Sequence, residues 1–485
     1  MAEFRLSTLD QNAPRTYLRH ALCFSSNDKE PAVIAERLQR AAKSLVSEIP
    51  ILAGTITINA HKKPSSVTVT PTQVKEFAAV IKHLDDHAQS YQDIYQSGFA
   101  PRHLEDIGLD PLANDLKGEP SCAIQANFFD GGLILVIYLH HAVAGINGMS
   151  TILRLISEEL PPRKLNNDEL KSEAIVVSRA RSRLSHGFGA PAFLTLARGV
   201  RQRQEQSTQR RHKQIYPVNG DGTVTASDNN NLNATSCRSA IFVFRLEILL
   251  QTTEMLNSRR ILRVNSRNSA TTTTDSLSPR EVLIAILWQA YTRARYRSSP
   301  IKTGRTHNDD LRTSISFPLD LRPTLISPLS THWLGNASLP AYAASPFSSL
   351  LTPTNLSTLE HTASIIYTAA SAQNSDLLIR SRINLLNSSA AERDWAPTPQ
   401  LVMHDWASSV PSMMEGQVMD LGLGVGMPDA VRRIGREVDA GDEVVLLPVN
   451  RRTGVWEVPI EVQERSMRSL VNDEGLRPWL WGVFE

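Results

Sequence analysis

The first part of the chain shows one helical pattern followed by strand-like runs. Residues 32–46 place apolar side chains every three or four positions, which is the spacing of an amphipathic helix. Residues 50–56 predict a turn that leads into a strand. Two apolar runs, 123–129 and 133–139, are separated by Asp130-Gly131-Gly132. An Asp-Gly step between such runs is typical of a β-hairpin.

A second helical pattern follows this predicted hairpin. After Gly148, apolar side chains recur at helical spacing, at Met149, Ile152, Leu153, Ile156 and Leu160. His141 therefore lies between the end of a buried strand and the start of a helix, and such a junction can aim a side chain into a cleft. An imidazole has an ordinary pKa near 6.5 and accepts a proton near neutrality. A core histidine satisfied by backbone groups is the structural alternative, and the pattern alone leaves both interpretations open.

The second half of the chain begins after a long polar stretch. Arg, Gln, Ser and Asn dominate residues 161–238, which predicts a partly disordered crossover. A strand-like run at 240–244 opens the second half, and residues 257–274 predict an inserted polar loop. Ser278-Pro279-Arg280-Glu281 is a helix start with an N-cap, a proline at the first helical position and a reciprocal capping glutamate.

Length and composition narrow the class of protein. A chain of 485 residues is too long for one ordinary core. We therefore predict an N-terminal domain over residues 1–160, the crossover over 161–238 and a C-terminal domain over 239–485, both domains of the α/β class. The formal net charge of +2 favours neither nucleic acid nor a membrane surface as a partner. The basic cluster within the crossover lacks interleaved aromatics, which favours a solvated face.

The remaining composition indicates a cytoplasmic protein without a metal centre. The three cysteines are far apart in sequence and show no CxxC spacing, so a disulfide framework or a zinc site is not expected. We see no signal-peptide pattern, and the longest apolar run, 133–139, is far shorter than a membrane span. His83 and His87 have helical metal-ligand spacing, but no further ligand cluster accompanies them, so we interpret them as a solvated helix end.

A glycine cluster near the C-terminus does not match the common nucleotide-binding patterns. Gly422-Leu423-Gly424-Val425-Gly426 lacks the Gly-Lys-Ser/Thr ending of the P-loop and the spacing of the Rossmann fingerprint. On its pattern alone, this cluster predicts a tight structural loop. The chain also has no Gly-x-Ser-x-Gly elbow, so a serine hydrolase is not supported.

Two motifs carry a family resemblance. The run from His140 to Met149 resembles an HxxxDG signature with a second leading histidine. The run from Asp420 to Arg432 is similar to a DFGfGxGxPxxVR signature, with Leu421 in place of the phenylalanine. Further similar segments follow in family order, at residues 6–11, 50–54, 129–132, 288, 320–322 and 334–337. The chain resembles the BAHD-type acyltransferases, and within them the fungal trichothecene O-acetyltransferase-like branch.

This resemblance implies a fold and a mechanism. It implies two chloramphenicol-acetyltransferase-like domains, each a mixed β-sheet with flanking helices, and a channel between them with His141 at its centre. Acyl-CoA, most simply acetyl-CoA, is the implied co-substrate, with no bound cofactor. The other partner is an acceptor alcohol among small secondary metabolites, and His141 is the general base. Trp406 and Asn336 are the implied candidates for an oxyanion donor or a channel position, and the protein is expected to be a monomer.

The chain departs from the signature at one position. Gly145 stands where the family has an aspartate that pairs with an arginine, and Arg322 matches that arginine. Asp420, Gly422 and Gly424 keep the structural glycine motif. Arg322 then needs another acceptor, for which Asn147 is a nearby candidate, or the loop has changed. We also expect Gly145→Asp to restore the pair and to raise thermal stability.

Three functional outcomes remain open at this stage. The first is acyl transfer by His141 on a loop that is supported in another way. The second is a fold that has been turned to a non-acylating reaction, such as a cyclisation or an isomerisation. The third is a binding protein without catalysis.

Overall fold

The computed structural model describes most of both predicted halves of the chain. The described residues are 3–26, 31–59, 66–71, 77–84, 89–105, 107, 109, 119–157, 237–266, 276–298, 312–325, 334–387, 399–406, 421, 425–434, 442–449 and 453–485. The predicted crossover lies almost entirely outside these residues, and its prediction stays untested.

The first half alternates helices with strands. Its helices are α1 (Thr8–Asn12), α2 (Pro31–Glu48), α3 (Tyr91–Gln96), α4 (Pro101–Glu105) and α5 (Ile146–Ser157), with a 3-10 turn at Pro50–Ala53. Its strands are β1 (Tyr17–Ser25), β2 (Thr55–Asn59), β3 (Ser66–Thr70), β4 (Val80–His83), β5 (Glu119–Pro120), β6 (Cys122–Phe129) and β7 (Gly132–His140). The predicted amphipathic helix, the turn before β2 and the β6–β7 hairpin are all confirmed.

The second half has the same alternation. Its helices are α6 (Leu246–Ser266), α7 (Pro279–Ser298), α8 (Phe347–Leu351), α9 (Leu356–Gln373), α10 (Asp376–Asn387) and α11 (Glu464–Val471). Its strands are β8 (Cys237–Arg245), β9 (Arg312–Asp320), β10 (Ser338–Pro346), β11 (Leu401–Asp405), β12 (Ala430–Arg433), β13 (Glu443–Leu446), β14 (Val455–Gln463) and β15 (Leu480–Phe484). Among the helices in the described part of the chain, none has the length and apolar character needed to cross a membrane.

The strands of the described residues form three sheets. The N-terminal sheet has the order β12-β1-β7-β6-β4, and the C-terminal sheet has the order β10-β9-β11-β13-β14-β8-β15. A small sheet has the order β3-β2-β5. The N-terminal sheet is mixed, because β4 pairs with β6 in parallel while β6 and β7 pair antiparallel. The C-terminal sheet is also mixed, with β11 parallel to both β9 and β13.

Strand β7 forms the centre of the N-terminal sheet. All of its residues are buried, which explains the unbroken apolar run that predicted it, because a strand covered on both faces does not alternate with polar residues. Gly131 adopts a φ of 82° in the two-residue turn from β6, a conformation that glycine tolerates best. Core clusters lie on both faces of the sheet, so that Leu22 and Phe24 of β1 pack on one side and Ala21 and Cys23 on the other.

Strand β12 belongs by sequence to the second half but completes the edge of the N-terminal sheet. It pairs antiparallel with β1, in a register that places His20 opposite Arg433 and Cys23 opposite Ala430. Trp406 and Leu421 of the second half also join the N-terminal core cluster. The two halves are therefore joined by backbone hydrogen bonds as well as by side-chain packing.

Arg432, the last residue of the glycine-rich motif, is a buried link in this arrangement. Its guanidinium donates to both carboxylate oxygens of Glu457, at 2.8 and 3.0 Å. It also donates to the carbonyls of Gly98 and Phe99, at 2.9 and 3.2 Å. Phe99 has a φ of 53°, which is uncommon for a residue with a side chain, so Arg432 supports a strained turn. The motif arginine thus connects the N-terminal turn, β12 and β14.

Three sequence predictions need correction. Residues 257–266 continue helix α6 instead of forming the start of a polar loop, because Leu249 and Leu256 pack into the core of the second half.

His83 ends strand β4, so it does not lie on a helix, and His87 is outside the described residues. Helix α7 is buried on all sides from Val282 to Ala294, whereas its sequence predicted a single apolar face. The predicted capping by Ser278 and Glu281 is confirmed.

We expect Arg432→Met to lower the free energy of unfolding by about 3 kcal/mol, because it leaves a carboxylate and two carbonyls without their donor. The measurement is chemical denaturation. Arg468→Met is the control, since Arg468 and Glu464 form an exposed helical ion pair, and it should change stability by less than about 0.5 kcal/mol. Equal effects of the two substitutions would contradict the role of Arg432.

Candidate active site

His141 lies in the turn between β7 and α5, as predicted. Its backbone N–H donates to the Thr16 carbonyl at 2.9 Å, which continues the pairing of β7 with the segment before β1. The N–H of Val143 donates back to the His140 carbonyl at 2.9 Å and turns the chain. Gly148 lies in the first turn of α5, where an added Cβ would be 2.4 Å from the Leu334 carbonyl oxygen. The glycine therefore allows the turn to approach the second half closely.

The two adjacent histidines have different environments. His140 is fully buried, and its Nδ1 accepts a hydrogen bond from the N–H of Ala142 at 3.1 Å. Tyr17 packs edge-on against its ring, with 4.9 Å between the ring centroids. His141 is only half-buried. The structure therefore gives His140 a role in shaping the turn and leaves His141 as the more exposed of the two histidines.

His141 is held in its neutral form. Its pKa is lowered to about 4, first because burial disfavours the charged imidazolium, and then because of the positive charges of His404 and Arg433. The neighbouring Asn336 side chain acts in the opposite direction. A neutral imidazole can accept a proton, so the ring is ready to act as a base at ordinary pH.

A second group of ionisable residues adjoins His141. His404 Nε2 lies 3.1 Å from a carboxylate oxygen of Glu443, and Arg433 donates to the other oxygen at 2.8 Å. Burial alone would raise the pKa of Glu443, but its hydrogen bond with His404 and the charge of Arg433 lower that pKa to about 2. Glu443 is therefore a permanent anion that neutralises part of the positive charge around His141.

Trp406 lies next to this group but faces the first half. It is 1% exposed, and the centroid of its ring is 4.2 Å from that of His20. Its indole N–H donates to the Ser150 hydroxyl of helix α5 at 3.4 Å. This N–H already has a partner within the protein, and the assignment of Trp406 as an oxyanion donor stays a prediction.

Asn336 contacts the His141 loop directly. Its side-chain Nδ2 donates to the His141 carbonyl at 2.7 Å and to Asp10 Oδ1 at 2.9 Å. Its backbone N–H donates to the same Asp10 oxygen at 2.8 Å. Asn336 is 5% exposed. These contacts make it a support of the loop, while its predicted oxyanion or channel role stays untested.

Arg322 has a carboxylate acceptor although position 145 carries no aspartate. Arg322 forms a two-pronged ion pair with Asp320, with its Nη2 2.7 Å from Oδ2 and its Nε 2.9 Å from Oδ1. Asn147, the acceptor that the sequence suggested, does not serve, because no hydrogen bond reaches its Oδ1 within the described residues. An added Cβ at Gly145 would lie 3.0 Å from Asn336 Oδ1.

The glycine-rich motif is only partly described. Asp420, Gly422 and Gly424 are outside the described residues, so their predicted structural role is untested. The end of the motif forms the edge of the N-terminal sheet, where Asp429 Oδ2 accepts hydrogen bonds from the Ser25 N–H at 2.8 Å and the Tyr91 hydroxyl at 2.9 Å. Gly426 has a φ of 75°, consistent with a tight loop.

Comparison with known proteins shows that the chain is similar to fungal acyltransferases. Residues 16–159 match the model of the trichothecene 3-O-acetyltransferase-like N-terminal domain. The O-acetyltransferase astG of Aspergillus oryzae is 27% identical over 348 residues, which is 69% of each chain. The acyltransferase easC of Emericella nidulans is 24% identical over 490 residues, which is 97% of this chain and 93% of easC.

The solved structures agree with this result. TRI101 of F. sporotrichioides, solved with coenzyme A and T-2, superimposes with a TM-score of 0.70 over 100% of both chains, at 18% identity. The fold is therefore that of the two-domain α/β acyltransferases, which confirms the predicted fold class. The predicted resemblance to the BAHD-type acyltransferases, and to their trichothecene O-acetyltransferase-like branch, is therefore supported by the domain match over residues 16–159 and by the fungal acyltransferase relatives.

Several residues around His141 were not singled out by the sequence interpretation. Ser7 and Asp10 have the three-residue spacing of a capping box, and this signal could have been found. His404, Arg433 and Glu443 come from three separate strands and have no common spacing. Only the pairing of those strands brings them together.

We expect Gly145→Asp to lower the melting temperature, which reverses the sequence-based expectation. The new Cβ meets Asn336 Oδ1, and Arg322 already has its carboxylate, so the change costs about 1–3 kcal/mol. Thermal unfolding is the measurement. Gly482→Asp controls for the added charge, because a Cβ there meets nothing within 4 Å. A higher melting temperature for Gly145→Asp would show that the carboxylate finds a partner.

Proposed function

We propose that this protein is an acyl-CoA-dependent O-acyltransferase that transfers an acetyl group from acetyl-CoA to a hydroxyl of a small secondary metabolite. His141 acts as the general base, and the protein needs no bound cofactor. We further propose that it works as a cytoplasmic monomer. The observation that carries the proposal is the half-buried, neutral His141 at the junction of the two halves, supported by both of them.

The proposed reaction is a direct transfer. His141 accepts the proton of the acceptor hydroxyl while the hydroxyl oxygen attacks the thioester carbonyl of acetyl-CoA. The resulting tetrahedral oxyanion collapses, the carbon–sulfur bond breaks, and the acetyl ester is formed. The leaving thiolate of coenzyme A takes the proton from His141, which returns to its neutral form. Proton transfer by a positioned side chain contributes roughly 10²–10⁴-fold to such a rate.

The relatives support the choice of reaction and substrate class. The relative astG is named as an O-acetyltransferase, and the relative easC is named as an acyltransferase. TRI101 was solved with coenzyme A together with the small molecule T-2. The loss of the aspartate at position 145 does not oppose the proposal, because both the loop and Arg322 have other partners.

We expect His141→Ala to reduce acetyl-CoA-dependent ester formation by at least about 10²-fold, because it removes the proton acceptor. The measurement is thiol release from acetyl-CoA across a panel of acceptor alcohols, with ester detection by mass. His361→Ala is the control, since His361 is an exposed histidine of helix α9, and it should retain wild-type activity.

Three results would contradict this assignment in different ways. Equal rates for wild type and His141→Ala would remove the role of the base. A product formed without acetyl-CoA and without gain of mass would indicate a non-acylating reaction. Ligand binding without turnover, unaffected by His141→Ala, would indicate a binding protein.

The pH profile gives a second test. The base is active when neutral, and its pKa is lowered to about 4, so activity is present above that pH and is lost only below it. We therefore expect kcat/KM to stay nearly constant from pH 7.5 down to about pH 5. His404→Gln removes a side chain that lowers the pKa of His141, so it should move the acidic limb to higher pH. A limb near the ordinary histidine value of about 6.5 in the wild type would contradict the buried environment of His141.

A further inference from the structure

We propose that Asp10, far from His141 in sequence, is a positioning residue that holds the His141 loop through Asn336. This link takes the place of the aspartate that is missing at position 145. The proposal rests on the proposed function for its kinetic consequence only. Its structural basis is a continuous chain of hydrogen bonds from helix α1 to the His141 carbonyl.

Both oxygens of the Asp10 carboxylate have defined partners. Oδ2 accepts from the backbone N–H of Ser7 at 2.9 Å and from its hydroxyl at 2.8 Å, which is the capping box of helix α1. Oδ1 accepts from the backbone and side chain of Asn336, at 2.8 and 2.9 Å. Asp10 is 0% exposed. Hydrogen bonds to a buried carboxylate are stronger than those between neutral groups, so this contact fixes Asn336 firmly.

Asp10 also determines which way the Asn336 amide points. A carboxylate only accepts hydrogen bonds, so the NH₂ end of the amide must face it. The amide nitrogen carries two hydrogens, and the second one reaches the His141 carbonyl at 2.7 Å. The side-chain oxygen of Asn336 is then turned toward Gly145. One orientation thus holds the His141 backbone and fills the space beside Gly145.

Gly145 and Asn336 therefore form a complementary pair. A side chain at position 145 would meet the Asn336 oxygen at 3.0 Å, so an aspartate there competes with this orientation of the amide. In the family that this chain resembles, an aspartate at this position holds the loop. In this protein, the loop is held at the carbonyl of His141 itself, and Arg322 is engaged by Asp320.

The experiment compares Asp10→Ala and Asp10→Asn with two matched controls. Ser7→Ala weakens the same capping box but leaves the Asn336 contact in place. Asp93→Ala removes the equivalent capping box of helix α3, where Asp93 Oδ2 accepts from Ser90 at 2.9 and 2.8 Å. All variants are assayed by acetyl-CoA-dependent thiol release with an active acceptor. Asp10→Asn keeps the shape of the side chain if Asp10→Ala does not fold.

We expect the Asp10 variants to lower kcat by on the order of 10²-fold, because small displacements of a catalytic group have effects of this size. The KM for acetyl-CoA should change less than about twofold, since Asp10 is completely buried and is not accessible to a substrate. The two controls should keep wild-type kcat. Wild-type kcat in Asp10→Asn, or an equal loss of kcat in Asp93→Ala, would overturn the proposal.

A spectroscopic measurement separates this proposal from the proposed function. The ¹⁵N resonances of His141 are identified by their loss in His141→Ala and are followed between pH 7.5 and 5.5 without substrate. Wild type, Ser7→Ala and Asp93→Ala should show no titration of His141 in this range. The Asp10 variants should titrate, because a released loop exposes the ring and its pKa rises toward 6.5. If no variant is active, the titration of His141 alone tests the positioning role of Asp10. An unchanged His141 resonance in the Asp10 variants would then overturn the proposal.

Discussion

The pairing of β7 with β1 and β6 is the constraint on which the site depends. β7 is buried along its whole length and ends at His140, so the chain leaves the sheet at one defined point. His141 is the first residue after that point, and the Thr16 carbonyl continues the strand pairing to its backbone. A shift of one residue would move every side chain of β7 to the opposite face, which the buried cores on both sides prevent.

Two segments of the second half of the chain approach His141 from different sides. Strand β12 extends the N-terminal sheet beside β1 and brings Arg433 close enough for its charge to lower the pKa of His141. Asn336 approaches from the other side and binds the His141 carbonyl. The environment of His141 is thus built by both halves, which is the arrangement expected for a channel between two domains.

Gly145 shows how a motif can change while the structure compensates. The loss of a buried carboxylate usually leaves its cationic partner unpaired, at a cost of about 3–5 kcal/mol. Here Asp320 pairs with Arg322 two residues away along the chain, and the loop is held at another atom. The altered signature therefore does not by itself indicate a lost function.

The sequence by itself determined helix α2, the β6–β7 hairpin, the start of helix α7 and the position of His141 between a buried strand and a helix. Those features follow from local periodicity, from the Asp130-Gly131 turn and from capping residues, all of which act within a few positions along the chain. The sequence did not show the end of helix α6, because its last turns look polar while earlier turns pack into the core. Only the tertiary structure decided the partners of His141 and Arg322. Asp10, Asn336 and Glu443 lie far apart in the chain, and long-range strand pairing and packing bring such groups within hydrogen-bond distance of their partners.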